Sequence, residues 1–145
     1  MQAFPHHYRV SASGHSEGDV DVTADRVATI PTAPPPEFGG PGDRWSPESL
    51  LVAAVANCFI LTFRAISRAS RLDWAALRCD VVGILDRQDR VTRFTRFEIH
   101  AHLKVPPGTD EAKASRLLEK AEAGCLITNS LAAEIALEYE IDAGQ

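Results

Sequence analysis

The chain has 145 residues, of which 45% are hydrophobic and 24% charged, and a net charge of -5 at pH 7. This length suits one domain, residues 1–145, with its own core. The negative charge provides no basic surface for nucleic acid or an anionic membrane, and the first residues lack the basic start and apolar stretch of a signal peptide. Three widely spaced cysteines do not form the disulfide framework of a small secreted protein. We therefore expect a cytoplasmic protein, where a lasting disulfide is unusual.

The N-terminal region carries two strand patterns and one loop pattern. Residues 8–23 alternate between apolar and polar side chains on either side of a turn bounded by Gly14 and Gly18. This predicts two short strands joined by that turn. Residues 31–42 are dense in proline and glycine, so we predict an irregular loop without regular structure there.

Residues 45–71 contain the dominant pattern of the chain, which predicts a helix. Ser46 is a good N-cap, and Pro47 suits the first helical position, where its missing N–H costs nothing. Between residues 50 and 63 only Asn57 and Thr62 are polar. This apolar run is shorter than the roughly 20 residues of a membrane span, so we expect protein to surround the helix.

A helix that is apolar on nearly all sides needs cover on every side. One sheet of the same chain covers only one side. We therefore expect a homodimer in which two copies of the long helix pack against each other. A monomer that wraps the helix completely is the alternative.

The C-terminal region predicts strands over 77–87 and 97–105, an amphipathic helix over 110–123, one or two helical turns over 126–133, and a final strand over 135–141. Helices and antiparallel strands are segregated along the chain, which is typical of the α+β class.

Three side chains in this region have functional groups that could react or bind a metal. Cys79 shares a predicted strand face with Val81 and Leu85 and is interpreted as a core residue. His100 and His102 share another strand face, as a pair of metal ligands does. That face otherwise carries charged side chains and is typical of a solvated surface, so we predict no metal site.

Cys58 lies in the middle of the long apolar helix. Burial alone raises the pKa of a thiol and makes it inert, and the helix dipole fades after the first turn. A reactive Cys58 would need a cation and a hydrogen-bonding partner from elsewhere. Glu48, in the first helical turn, and Arg44, just before the helix, are the upstream candidates.

Residues 46–59 resemble the signature of the OsmC/Ohr family of thiol-dependent hydroperoxide reductases. That signature places a Pro-Glu pair, here Pro47-Glu48, ahead of a helix whose reactive cysteine comes ten residues after the Glu. The segment from Ala121 to Cys125 and the short polar stretch after it resemble the second motif of the family. The resemblance implies an OsmC-like fold, with antiparallel sheets around two long central helices in an intertwined homodimer. It also implies an active site at each end of the interface.

The resemblance implies a reaction as well. Cys58 would be the peroxidatic cysteine that reduces an organic hydroperoxide to an alcohol, in defence against oxidative stress. Cys125 would be the resolving cysteine that forms a disulfide with it, and an external dithiol would reduce that disulfide. No bound cofactor is implied. The apolar helix provides a surface for the tail of an alkyl or lipid hydroperoxide.

The sequence departs from the family at the arginine that activates the cysteine and is held by the Glu. In one branch this arginine precedes a Phe-x-Gly segment, where this chain has Glu37, and in the other it lies in the first turn, which has no arginine here. Arg44 is the nearest substitute, followed by Arg26 and Arg9. Two alternatives remain open: a member that acts on another electrophile, and a binding module whose interface cleft holds a small apolar ligand beside unreactive cysteines.

Overall fold

The computed structural model describes residues 1–144. The chain divides into two compact units, Met1–Leu51 and Val52–Gln145. One helix, α1 (Pro47–Ala69), begins in the first unit and continues into the second. The single domain over residues 1–145 stays a prediction.

The first unit contains a three-stranded antiparallel sheet. Its strands β1 (Ser11–Ser13), β2 (Val20–Thr23) and β3 (Ile30–Thr32) pair in the order β1-β2-β3. The two strands predicted over 8–23 are confirmed, although the first is short.

The prediction of an irregular loop over 31–42 is wrong at two places. The end of β3 and a 3₁₀ helix, Pro36–Phe38, lie inside it. Pro31 is compatible with a strand because β3 is at the edge of this sheet, where the missing N–H can point away from the neighbouring strand.

Helix α1 starts and ends close to the predicted positions. The Ser46 hydroxyl accepts a hydrogen bond from the Ser49 N–H at 3.0 Å, which is the expected N-cap. Beyond the last helical residue, Arg71 has a left-handed backbone conformation with φ of 55°. The helix is therefore two residues shorter than predicted.

Only one stripe of α1 is buried within this chain. The buried residues are Val55, Phe59, Phe63 and Ser67, four residues apart, whereas Leu61 on another face is 49% exposed. The apolar run of residues 50–63 is shorter than a membrane span, as expected, but α1 as a whole is long and apolar enough to cross a bilayer, with a mean hydropathy of 1.9 over 18 residues. Length and composition alone do not distinguish such a span from the core helix of a soluble protein.

The second unit contains a mixed three-stranded sheet. Strands β4 (Ala76–Gln88) and β5 (Val91–Lys104) form an antiparallel hairpin, as predicted. Their turn is Asp89-Arg90, and both residues have positive φ, 50° and 67°. Positive φ at both central residues is the type I′ geometry that suits a two-residue hairpin.

The last strand corrects the expectation of purely antiparallel strands. β6 (Glu134–Asp142) pairs with β5 in parallel. A parallel pair needs a long crossover connection, which here contains α2 (Glu111–Gly124) and α3 (Leu126–Asn129). Residues 1–144 thus contain two three-stranded sheets, where the sequence interpretation counted one.

The two faces of this second sheet differ in burial. Along β5 one face is buried, at Phe97, Ile99, Ala101 and Leu103. Helix α1 approaches the sheet so closely at Gly83 that a Cβ there would lie 2.7 Å from Val52 Cγ2. A register shift between Ile84 and Leu85 leaves Leu85 36% exposed, so it does not continue the face of Cys79 as predicted.

Candidate active site

Cys58 is half-buried in the middle of α1 and lines an open cleft in the second unit. The cleft has a volume of about 520 Å³. Its wall is mainly apolar and consists of Ala54, Asn57, Cys58, Leu61, Thr62, Ala65, Leu126 and Ile127. An apolar molecule that occupied this cleft would therefore lie beside the Cys58 sulfur.

Cys125 lies between α2 and α3 and is 1% exposed. Its carbonyl oxygen accepts hydrogen bonds from the Asn129 N–H at 3.0 Å and the Thr128 hydroxyl at 3.2 Å. Its thiol is near enough to Cys58 to affect the pKa of that residue, and both cysteines are free. The fold thus brings together two thiols that are 67 positions apart in the sequence.

Several donors surround the Cys58 sulfur. Burial is the largest influence and raises the pKa of this thiol, but hydrogen bonds from the Ile127 N–H, the Cys125 thiol, the Thr62 hydroxyl and the Leu126 N–H outweigh it. The net result is a pKa below the ordinary value of a cysteine. The Thr62 Oγ1 atom lies 3.7 Å from the Cys58 Sγ atom. Leu126 and Ile127 are the first residues of α3, where N–H groups have no acceptor within the helix.

The pKa of Cys125 moves in the opposite direction. Burial raises it most, hydrogen bonds from Thr128 lower it, and the hydrogen bond to Cys58 raises it again, so that the net direction is upward. When this pair of thiols loses its first proton, these directions place the negative charge on Cys58 in preference to Cys125. A lowered pKa favours the thiolate form of Cys58, which is the nucleophilic form.

Glu48 and Arg44 both lie in the first unit. Within the described residues the Glu48 Oε1 atom is buried and has no hydrogen-bond partner. The Arg44 guanidinium contacts two other carboxylates, Asp19 at 3.1 Å and Asp43 at 3.5 Å. Over residues 1–144 Arg44 and Glu48 do not form an ion pair, so their joint role stays a prediction.

Cys79 is half-buried on β4 and differs sharply from Cys58. Burial, followed by the negative charges of Asp80 and Cys125, raises its pKa to about 12. A thiol with this pKa stays protonated at neutral pH, which agrees with its interpretation as a core residue.

Sequence reasoning missed three donors to Cys58. Thr62 follows Cys58 by one helical turn and has a signal in the sequence, since residues four apart share a helix face. The Leu126 and Ile127 N–H groups have no such signal, because they are backbone atoms that reach Cys58 only through tertiary packing.

Comparison with known proteins identifies the family. The family model for OsmC-like protein matches residues 40–140, and the chain belongs to this family. It is 28% identical to the uncharacterized protein YmaD of Bacillus subtilis strain 168 over 140 residues, 93% of each chain. It is also 28% identical to Peroxiredoxin OsmC of Escherichia coli strain K12 over 96 residues, 66% of each chain.

A solved structure supports the same fold. An OsmC-like protein of unknown function from Vibrio cholerae superposes with a TM-score of 0.86 at 17% identity, covering 94% of this chain and 100% of that chain. The predicted resemblance to the OsmC/Ohr family and the α+β class are therefore confirmed.

Proposed function

We propose that this protein reduces organic hydroperoxides to alcohols, with Cys58 as the peroxidatic cysteine and Cys125 as the resolving cysteine. The observation that carries the proposal is the polarised thiol pair beside an apolar cleft, with the pKa of Cys58 lowered and that of Cys125 raised. The name of one relative, Peroxiredoxin OsmC, supports the same reaction class.

The first step oxidises Cys58. Its thiolate attacks the distal oxygen of the hydroperoxide, so that a sulfur–oxygen bond forms while the oxygen–oxygen bond breaks. The leaving alkoxide takes up a proton and becomes the alcohol, and Cys58 becomes a sulfenic acid. A lowered pKa favours this step because the thiolate is the nucleophilic form.

The second step forms a disulfide. The Cys125 sulfur attacks the Cys58 sulfur, the sulfur–oxygen bond breaks, and the leaving hydroxide takes up the proton of the Cys125 thiol to become water. An external dithiol then reduces the disulfide by thiol–disulfide exchange and returns both thiols. No bound cofactor is needed in this scheme.

The cleft favours a substrate with an apolar tail. Leu61, Leu126 and Ile127 provide apolar surface next to Cys58. Burying apolar surface releases roughly 25 cal/mol for each Å², a gain that hydrogen peroxide cannot obtain. Alkyl or lipid hydroperoxides are therefore the substrate class of the proposal.

Activation by Arg44 completes the proposed site. Its guanidinium would approach the Cys58 thiolate and be held there by Glu48, whose Oε1 atom has no hydrogen-bond partner over residues 1–144. This role requires Arg44 to leave Asp19, to which its Nε atom now donates at 3.1 Å.

Counting thiols tests the reaction. Reduced protein mixed with one equivalent of cumene hydroperoxide should lose two thiols per chain and produce one equivalent of cumyl alcohol. Cys125→Ser should stop at a sulfenic acid on Cys58, which dimedone traps. Cys79→Ser is the matched control and should behave as the unchanged protein does. Cys58 and Cys125 that stay reduced over a wide range of peroxide concentrations would contradict the proposal.

We further propose that two copies of the chain form a dimer through α1. Only one stripe of this apolar helix is buried within the chain, which leaves residues such as Leu61 open to a partner. Sedimentation equilibrium should return twice the mass of 15.8 kDa. Leu61→Glu should shift the protein toward the monomer, while a stable monomer of the unchanged chain would exclude this assembly.

The proposed setting is the cytoplasm, in defence against oxidative stress. Reducing conditions there return the disulfide to thiols after each turnover. Neither nucleic acid nor membrane takes part in the scheme, whose partners are the hydroperoxide, the dithiol and the second copy of the chain.

A second candidate is a binding protein that holds a small apolar ligand in the cleft without peroxidase activity. The observation that favours it is the pairing of Arg44 with Asp19 and Asp43, which leaves the arginine engaged away from a thiolate. Unchanged thiols in the peroxide experiment, together with binding of an apolar fluorescent probe, would favour this candidate.

A further inference from the structure

The outer face of the sheet formed by β4, β5 and β6 brings two histidines and a carboxylate together. His100 and His102 lie on β5, and the parallel register places Glu140 of β6 beside His102. The His100 Nε2 atom lies 3.4 Å from Glu140 Oε1, and the His102 Nδ1 atom lies 3.3 Å from Glu140 Oε2. One ligand atom of each residue lies within 4.8 Å of those of the other two.

One atom of this cluster lacks an ordinary partner. Within the described residues the His100 Nε2 atom is shielded from solvent and makes no hydrogen bond, although a Glu140 oxygen is near. Most buried polar atoms in proteins have a hydrogen-bond partner. A shielded imidazole nitrogen that faces a carboxylate provides a lone pair for a cation.

We propose that His100, His102 and Glu140 bind one zinc ion, with water in the fourth position, on the strand face where the sequence predicted no metal site. Zinc bonds to imidazole nitrogen and carboxylate oxygen measure about 2.0–2.2 Å. Tetrahedral bonds of that length separate two ligand atoms by about 3.4 Å. Each histidine nitrogen lies at close to this distance from the Glu140 oxygen that it faces, Oε1 for His100 and Oε2 for His102.

The ring geometry needs only a small adjustment. The His100 and His102 rings stack with centroids 4.8 Å apart and planes 4° from parallel. Because a metal lies in the plane of the imidazole that binds it, one ring has to rotate so that both nitrogens point to one position. Both side chains are about half exposed, 42% and 45%, which leaves room for that rotation.

The chemistry and charge of the surroundings favour this ion. Two imidazoles with one carboxylate suit zinc, whereas magnesium and calcium prefer oxygen ligands alone. The nearby arginines are already paired, Arg78 with Asp80 and Arg96 with Glu98 and Glu134. These pairs leave the Glu140 carboxylate available to the ion.

The site lies on the outer face of the sheet, opposite the buried face of β5, and it is independent of the proposed peroxidase reaction. The ion would connect β5 with β6 through side chains, in addition to the backbone ladder. Zinc that binds only the folded chain should therefore raise its unfolding temperature.

Calorimetric titration with zinc chloride tests the proposal. The Cys58→Ser/Cys125→Ser protein is the background, so that the thiol pair cannot bind the metal. We expect one zinc ion per chain and shifted imidazole NMR signals of His100 and His102. His102→Ala and Glu140→Gln should each lower the affinity by more than the roughly 10–100-fold typical of a lost outer-shell partner.

The matched control is His6→Ala/His7→Ala, which removes two neighbouring histidines elsewhere in the chain and should leave zinc binding unchanged. Circular dichroism verifies that each variant is folded. If a histidine variant unfolds, the zinc affinity of the near-isosteric Glu140→Gln variant tests the proposal instead. No zinc binding to the background protein would overturn the proposal. Undiminished binding to His100→Ala/His102→Ala would overturn it as well.

Discussion

Cys58 and Cys79 are both half-buried thiols in the same unit of the molecule, yet their pKa values move in opposite directions. Burial raises the pKa of both. At Cys58 the N–H groups of α3, the Cys125 thiol and the Thr62 hydroxyl reverse the effect. At Cys79 the charges of Asp80 and Cys125 add to it, and the pKa reaches about 12. The donors around the Cys58 sulfur therefore account for the difference in pKa between the two thiols.

The largest expected difference between Cys58 and Cys79 is the effect of removing the sulfur atom of each residue. Cys58→Ser should abolish the consumption of cumene hydroperoxide, because serine provides no thiolate. Cys79→Ser should retain the activity of the unchanged protein, since a thiol protonated at neutral pH takes no part in the reaction. Peroxide consumption under a dithiol reductant measures both. An equal loss of peroxide consumption in the two variants would contradict the prediction that Cys58 reacts and Cys79 does not.

Arg44→Ala tests whether a cation contributes to the difference in reactivity between Cys58 and Cys79. A hydrogen bond to a charged group contributes about 1.5–3 kcal/mol, so loss of the arginine should slow the reaction of Cys58 with peroxide roughly ten- to a hundredfold. Stopped-flow measurement of the first oxidation step gives the rate. Arg116→Ala, at an exposed position on α2, is the matched control. Full reactivity of the Arg44 variant would assign activation to the α3 donors and Thr62 instead.

The pH dependence of alkylation measures the difference in pKa between Cys58 and Cys79 directly. The rate for each thiol follows its thiolate fraction, so it rises as the pH passes the pKa. Cys58 should reach its plateau below the pH at which an ordinary cysteine does, because its pKa is lowered. Cys79 should stay slow until the pH approaches about 12. Mass spectrometry of iodoacetamide-treated protein resolves the two sites. Overlapping pH profiles would contradict the assigned directions.

The smallest expected effect belongs to Thr62. Thr62→Val removes one neutral donor, worth about 0.5–1.5 kcal/mol, and should raise the pKa of Cys58 by up to roughly one unit. The rate at neutral pH should fall a few-fold. Thr62→Ser keeps the hydroxyl and should restore both values. A valine variant with an unchanged alkylation profile would exclude Thr62 as a donor.

Part of the thiol site was predictable from the sequence and part was not. The two motifs around Cys58 and Cys125 identified the family and its cysteine pair, which the structure brings into contact. The expected sources of activation lay upstream, at Glu48 and Arg44. The donors that the structure provides lie downstream, at Leu126 and Ile127. Backbone N–H groups belong to every residue type except proline, so their role has no signature in the sequence.

The sequence by itself determined the local elements of this protein. Helix α1, the β4–β5 hairpin and α2 follow from hydrophobic periodicity and capping residues, which act over a few neighbouring positions. Only the tertiary structure decided that β6 pairs with β5 in parallel, so that Glu140 lies beside His102, and that α3 directs its N–H groups at Cys58. The physical reason is that an apolar pattern specifies which face of a strand or helix is buried. It does not specify which distant segment covers that face, or in which direction that segment runs.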